Sequence, residues 1–196
     1  MQIVLARTAW RQVLMVLVSG LAFNVSAAEF KELRNEEFRF SVNVPSDMVS
    51  CESASGGHRH GFGILLDPPG GGCDSKEPQS YIGFFGDYNV LESRSPKEAM
   101  RLLCVAKSTK SRSLHRLSLA FSGHKSAACE KDAGGGWVNV FVTAQADRWP
   151  DDPNRQPGMP YINYTAELHT TQARFAADLK TFKGMLARVS LFQVSQ

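Results

Sequence analysis

Phe38, Phe40, Val42 and Val44 alternate with Arg39, Ser41 and Asn43 until Pro45 ends the run. Successive side chains of a strand point to opposite faces, so this period of two sends the aromatic and β-branched residues to one side and the polar ones to the other. The chain must therefore build a sheet with one covered face. A second pattern supplies a cover. Phe175, Leu179, Phe182, Leu186 and Val189 step by 4, 3, 4 and 3, the stripe of an amphipathic helix. Thr171 is its candidate cap, and Asp178, Lys180 and Arg188 fall on the opposite face.

The segments between these two anchors read mostly as strands. Phe30 to Leu33 forms a short first strand that Arg34 to Glu37 turns back, and Ser50 to Gly61 is a polar, glycine-containing loop. Phe62 to Leu66 and Tyr81 to Phe85 are short strands separated by Asp67-Pro68-Pro69 and Gly70-Gly71-Gly72. Ser95-Pro96-Lys97-Glu98 opens a helix: Ser95 caps, Pro96 suits the first helical position and Glu98 reaches back. Ala99, Leu102, Leu103 and Ala106 follow at helical spacing, which places Cys104 on this helix. Leu117, Leu119 and Phe121 alternate, and Gly134-Gly135-Gly136 turns into Trp137 to Ala144, apolar on both faces as in a central strand. Pro150, Pro153, Pro157 and Pro160 make residues 147–160 a loop before the strand Tyr161 to Leu168. The expected fold is α+β: a mostly antiparallel sheet of about six strands packed with two main helices in one compact domain, with two disulfides.

The start of the chain reads as an address. Arg7 and Arg11 precede an apolar stretch from Val13 to Phe23, and Ser26, Ala27 and Ala28 follow. That is the order of a secretory signal peptide, so residues 1–27 are expected to be removed and 28–196 to form the domain. Ser19 and Gly20 interrupt the apolar stretch, which ends near Asn24, short of the ~20 apolar residues a spanning helix needs. No membrane insertion is expected after cleavage, and the location is periplasmic or secreted. Arg7 and Arg11 are the only charges before residue 28, so the remainder carries 20 basic and 19 acidic side chains. So even a balance gives no electrostatic footprint for nucleic acid.

Cys51, Cys73, Cys104 and Cys129 all follow the expected cleavage point. In an oxidising compartment they imply two disulfides, and spacing alone leaves three connectivities open. Nearest-neighbour pairing, Cys51 with Cys73 and Cys104 with Cys129, is the expected one; each loop would then contribute about 3 kcal/mol on the chain-entropy account.

A resemblance emerges from the order of these segments. A short hairpin ends in Phe38-Arg39-Phe40-Ser41-Val42-Asn43-Val44-Pro45, and a helix follows Ser95. A strand ending at Ser122-Gly123 leads into a hairpin with Trp137 to Ala144, and Tyr161 to Leu168 precedes the helix of Phe175, Leu179 and Phe182. This order is similar to the PsbP-like and DcrB-like group of extracytoplasmic α-β-α sandwich domains. The resemblance covers most of the mature chain and implies that fold and, by analogy, a non-catalytic accessory or binding role.

Two segments are candidate sites. Gly57-His58-Arg59-His60-Gly61 sets two imidazoles two residues apart, a pair able to hold a borderline metal with Asp67, Cys73 or Asp74. The spacing matches no standard zinc pattern. The second is the Pro-rich loop, where Trp149 stands with Arg148 and Arg155, residue types enriched at binding hot spots. The competing reading of Trp149 is a ring folded back onto the core. No Gly-x-Ser-x-Gly occurs, and neither glycine run continues as a phosphate loop. Asn163-Tyr164-Thr165 matches a glycosylation acceptor but falls in an expected strand. The sequence therefore reads as a non-catalytic binding protein with no cofactor, an inhibitor, immunity-type or accessory protein acting on a protein partner in the cell envelope. The alternative is a metal-binding or hydrolytic extracytoplasmic enzyme using His58 and His60.

Overall fold

The computed structural model describes residues 29–52, 60–68, 72–75, 78–90, 92–104, 119, 121, 123–152 and 160–192. Nine strands and two helices make up these residues, and every strand pairing is antiparallel. The main sheet has six strands: β3 (Ser50–Glu52), β4 (Gly61–Leu65), β5 (Tyr81–Asp87), β6 (Ser126–Gly134), β7 (Trp137–Asp147) and β8 (Tyr161–Thr171). Their order across the sheet is β3-β4-β5-β8-β7-β6. A smaller sheet joins β1 (Phe30–Asn35), β2 (Phe40–Pro45) and β9 (Val189–Leu191) in the order β1-β2-β9. The helices are α1 (Pro96–Cys104) and α2 (Phe175–Leu186). This is the expected α+β class, with its six-stranded sheet, two helices and two disulfides.

The two faces of the main sheet are covered differently. Ile64, Ile82, Phe84, Val140, Val142, Ile162 and Leu168 point to the inner face and join one buried cluster with Phe40, Val42 and Val44 of β2. Phe182, Met185 and Leu186 of α2 and Val189 of β9 close the same cluster. The alternation at Phe38 to Val44 was built for this contact, since burying each large apolar side chain is worth about 1.5–3 kcal/mol. At Gly86 the Phe38 ring fills the space a Cβ would need, so only glycine lets the turn before β2 press onto β5. The β6–β7 hairpin turns through Gly134, Gly135 and Gly136, all with positive φ (81°, 60° and 81°), a conformation that L side chains resist.

On the outer face, α1 packs mainly over β6 and β7. Met100 packs there with Cys129 and Phe141, and the Cys104–Cys129 disulfide ties the last residue of α1 to β6 across a Cα–Cα distance of 6.6 Å. Thr143 Oγ1 donates to the Pro96 carbonyl at 2.8 Å, fixing the first turn. Ser95 Oγ accepts the Glu98 N–H at 3.2 Å as expected, while the Glu98 carboxylate reaches one residue past the cap and accepts the Arg94 N–H at 2.8 Å. The other disulfide joins Cys51 in β3 to Cys73 in the short turn of 3-10 helix Gly72–Asp74, with Cα atoms 5.7 Å apart.

Several local expectations need correction. Val189 belongs to β9 rather than to the last helix, because Ala187 caps α2 and the chain then pairs with β2. Asp178 is buried, not on a solvated face: the Thr170 hydroxyl and the Arg174 guanidinium both donate to its carboxylate. Thr171 does not cap α2; the N-cap is Arg174, whose side chain makes no capping bond. Leu102 is 57% exposed instead of facing the sheet. Part of the expected loop at Ser50 to Gly61 forms β3. Asn163, by contrast, lies in the strand expected there, β8, and is buried, which leaves no room for a glycan in the folded state.

Candidate functional site

Beside α1, the end of the outer face carries a connected polar network. Asn89 has a positive φ of 54° and organises it with both ends of its side chain. Its Nδ2 donates to the Ser93 carbonyl at 2.9 Å, while its Oδ1 accepts the Ser93 N–H at 2.9 Å. The same Oδ1 accepts from Asn163 Nδ2 at 2.9 Å, and Asn163 Oδ1 accepts from Gln145 at 2.8 Å. Gln145 also donates to the Ser93 carbonyl at 2.9 Å. Asp87 Oδ1 accepts the Asn89 N–H at 2.7 Å and Asn163 Nδ2 at 3.2 Å. Glu92 also sits at positive φ (53°). A non-glycine residue held there is strained, and such strain persists only where the surroundings over-determine it.

Asp87, Ser93 and Asn163 of this network line a hollow of about 210 Å³ between α1 and the strands β5, β7 and β8. Ala99, Leu102 and Leu103 line it from the helix, and Val90 from the loop after β5. Val90 is 67% exposed, which with the also exposed Leu102 gives the hollow an apolar rim. Asp87, Ser93, Thr143, Asn163 and Thr165 supply polar lining. Burial pushes the Asp87 carboxyl up from its ordinary range, opposed by the bonds from Asn89 and Asn163 and by the nearby His60. Ser93 stands out. It is 2% exposed, and its hydroxyl has no hydrogen-bond partner among the described residues. Leaving such a group unsatisfied costs about 1–3 kcal/mol, so fold stability alone does not account for it.

A wider neighbouring hollow of about 590 Å³ is lined by Arg94, Lys97, His124 and Lys125, with Asp147 and Tyr161 opposite. A further cluster lies on the outer face between β5, β8 and β7. There the Trp137 and His169 rings stack with centroids 4.6 Å apart, and Tyr81 flanks His169 at 5.3 Å. Glu167 accepts from Tyr81 and from Asn139, the latter at 3.2 Å, and burial pushes its carboxyl up. Burial holds the His169 imidazole low and, with Glu167 adding to it, raises the Tyr81 phenol. These groups hydrogen-bond and stack among themselves, with ring faces turned to one another.

The residues singled out from sequence are distributed as follows. Cys51 and Cys73 are bonded to each other, so neither is a thiolate ligand for a metal at His60. The His60 ring packs 5.0 Å from Phe38. His58 and Arg155 lie outside the described residues. Among the described residues no three His, Cys, Asp or Glu side chains converge as a metal site. Arg148 is buried against Asp152, and Trp149 packs on the main core beneath Arg39, whose guanidinium sits 4.3 Å from the ring centroid. The network around Ser93 was not foreseen. Its only local signal is the polar run Asp87-Tyr88-Asn89 directly after a strand.

Neither a scan against protein families nor a search of curated proteins finds a match. Among solved structures the chain is similar to cyanobacterial PsbP (CyanoP) from Synechocystis sp. PCC 6803. The likeness covers 89% of this chain and 99% of that one, at 9% identity and a TM-score of 0.47. At that level it speaks neither to function nor to partner, and nothing extends it to DcrB-like domains.

Proposed function

We propose that this protein is a non-catalytic binding protein of an oxidising, extracytoplasmic compartment, and that it holds a protein partner by one protruding side chain seated in the hollow beside α1. The observation that carries this reading is the buried Ser93 hydroxyl, unpartnered among the described residues, on a hollow rimmed by exposed Val90 and Leu102. At about 210 Å³ the space falls below the ~300–1,000 Å³ of small-molecule and cofactor pockets, and suits one side chain. Rigidity supports the same reading. The disulfide at Cys104 and the Thr143 bond pin the two ends of α1, so little order is lost on binding.

The compartment is argued from two disulfides and from the signal-like residues 1–27, which lie outside the described residues. No helix among the described residues is long and apolar enough to cross a membrane. The Pro-rich loop with Trp149 and Arg148 supports contact less well, because its described part is committed to internal pairing.

The site is tested by two-dimensional NMR of the labelled protein against a mixture of small fragments. Shifts gathered on Val90, Ser93, Leu102 and Thr165 are expected. Fragments that collect instead at Tyr81, Trp137 and His169, or nowhere, would contradict the assignment.

A further inference from the structure

We infer that the side chain this hollow accepts is a lysine, its methylene stem on the apolar wall and its ammonium at Asp87 and Ser93; the inference rests on the binding reading above. Two requirements select the head group. Asp87 is an acidic lining residue, and both of its hydrogen bonds among the described residues fall on Oδ1. The Ser93 hydroxyl is unpartnered among the described residues, and Thr165 adds another hydroxyl to the lining. An occupant must therefore bring hydrogen-bond donors, and a positive charge meets the carboxylate.

Among the described residues the lining contains no Lys, Arg or His. An ammonium has three donors and no acceptor on a four-carbon stem. That stem matches the walls of Ala99, Leu102, Leu103 and Val90. A purely apolar side chain would cover Asp87 without bringing it a counter-charge and would leave the Ser93 hydroxyl unanswered, at a cost in each case. A carboxylate would be set against Asp87. A guanidinium presents five donors in a rigid planar fork, more than this lining of one carboxylate and a few hydroxyls answers.

The probes are blocked amides of lysine, norleucine and Nε-acetyl-lysine, titrated at millimolar concentration and followed by NMR. The lysine amide is expected to shift Ser93, Leu102 and Thr165 and to bind more tightly than either comparison. Asp87→Asn and Ser93→Ala are each expected to weaken it by about tenfold, the scale of one lost charge-assisted hydrogen bond. Both variants keep the surrounding bonds possible: the side-chain carbonyl that Asp87→Asn retains still accepts, and Ser93→Ala leaves the backbone unaltered. Their melting curves check this. Equal binding of the norleucine or Nε-acetyl-lysine amide would overturn the lysine assignment. So would silence from the lysine amide while fragments still occupy the hollow, an outcome that spares the binding reading. Fragments absent from the hollow would remove both.

Discussion

Asp152→Ala is expected to lower the stability of the fold by about 3–5 kcal/mol, the scale for breaking a buried ion pair by removing one partner. The side chains of Arg148 and Asp152 are only 1% and 2% exposed, and Arg148 Nε and Nη2 each reach Asp152 Oδ2 at 2.8 Å. The Tyr88 ring lies under the guanidinium, its centroid 5.0 Å from Cζ. Removing the carboxylate takes this fork away from a permanently charged group whose side chain is almost wholly buried. The same clamp holds the start of the loop after β7, where Arg148 N–H donates to the Pro160 carbonyl at 2.8 Å. Next to it, Arg39 covers Trp149 and forks onto Asp151 at 2.8 and 3.0 Å. Denaturant melts decide the matter: a loss below about 1 kcal/mol would return Arg148 and Trp149 to the list of contact residues.

Phe182→Ala is expected to cost about 3–5 kcal/mol, and Lys180→Ala no more than about 0.5 kcal/mol. Phe182 is fully buried between α2 and the strands it covers, in the cluster shared with Phe40 and Val42, whereas Lys180 faces solvent on the same helix. The contrast separates a docked helix from one that merely forms. Equal, small effects in denaturant melts would show that α2 contributes little packing.

The core was readable because its elements announce themselves locally. Phe40, Val42 and Val44 needed only the period of two, and Phe182 and Leu186 only the helical stripe. The same logic overran at Val189, since a residue on the next strand can continue the spacing of a helix that has already ended. It failed at Asp178 because the donors that make its burial tolerable, Thr170 and Arg174, are set by the fold. Arg148 misled for a related reason. A charged side chain next to Trp149 and Pro150 looks solvated until Asp152 and the Tyr88 ring close over it.

The candidate site was illegible for a stronger reason. Asn163 meets Asn89 across 74 positions and Asp87 across 76. No spacing rule spans such separations. Leu102 was legible as an apolar helical residue, but its exposure follows from α1 packing mainly over β6 and β7, which leaves that flank of the helix at the rim of the hollow.

The central claim is that the Ser93 hydroxyl is kept for a ligand rather than for the fold, and the stability of Ser93→Ala without ligand tests it most directly. Deleting an unsatisfied buried hydroxyl removes its desolvation cost, whereas deleting a satisfied one forfeits about 0.5–1.5 kcal/mol. A binding site that trades stability for function therefore predicts a variant at least as stable as the parent, with weaker binding of the lysine amide. A Ser93→Ala protein destabilised by more than about 1 kcal/mol would mean that the hydroxyl is already used within the fold, and would contradict the account.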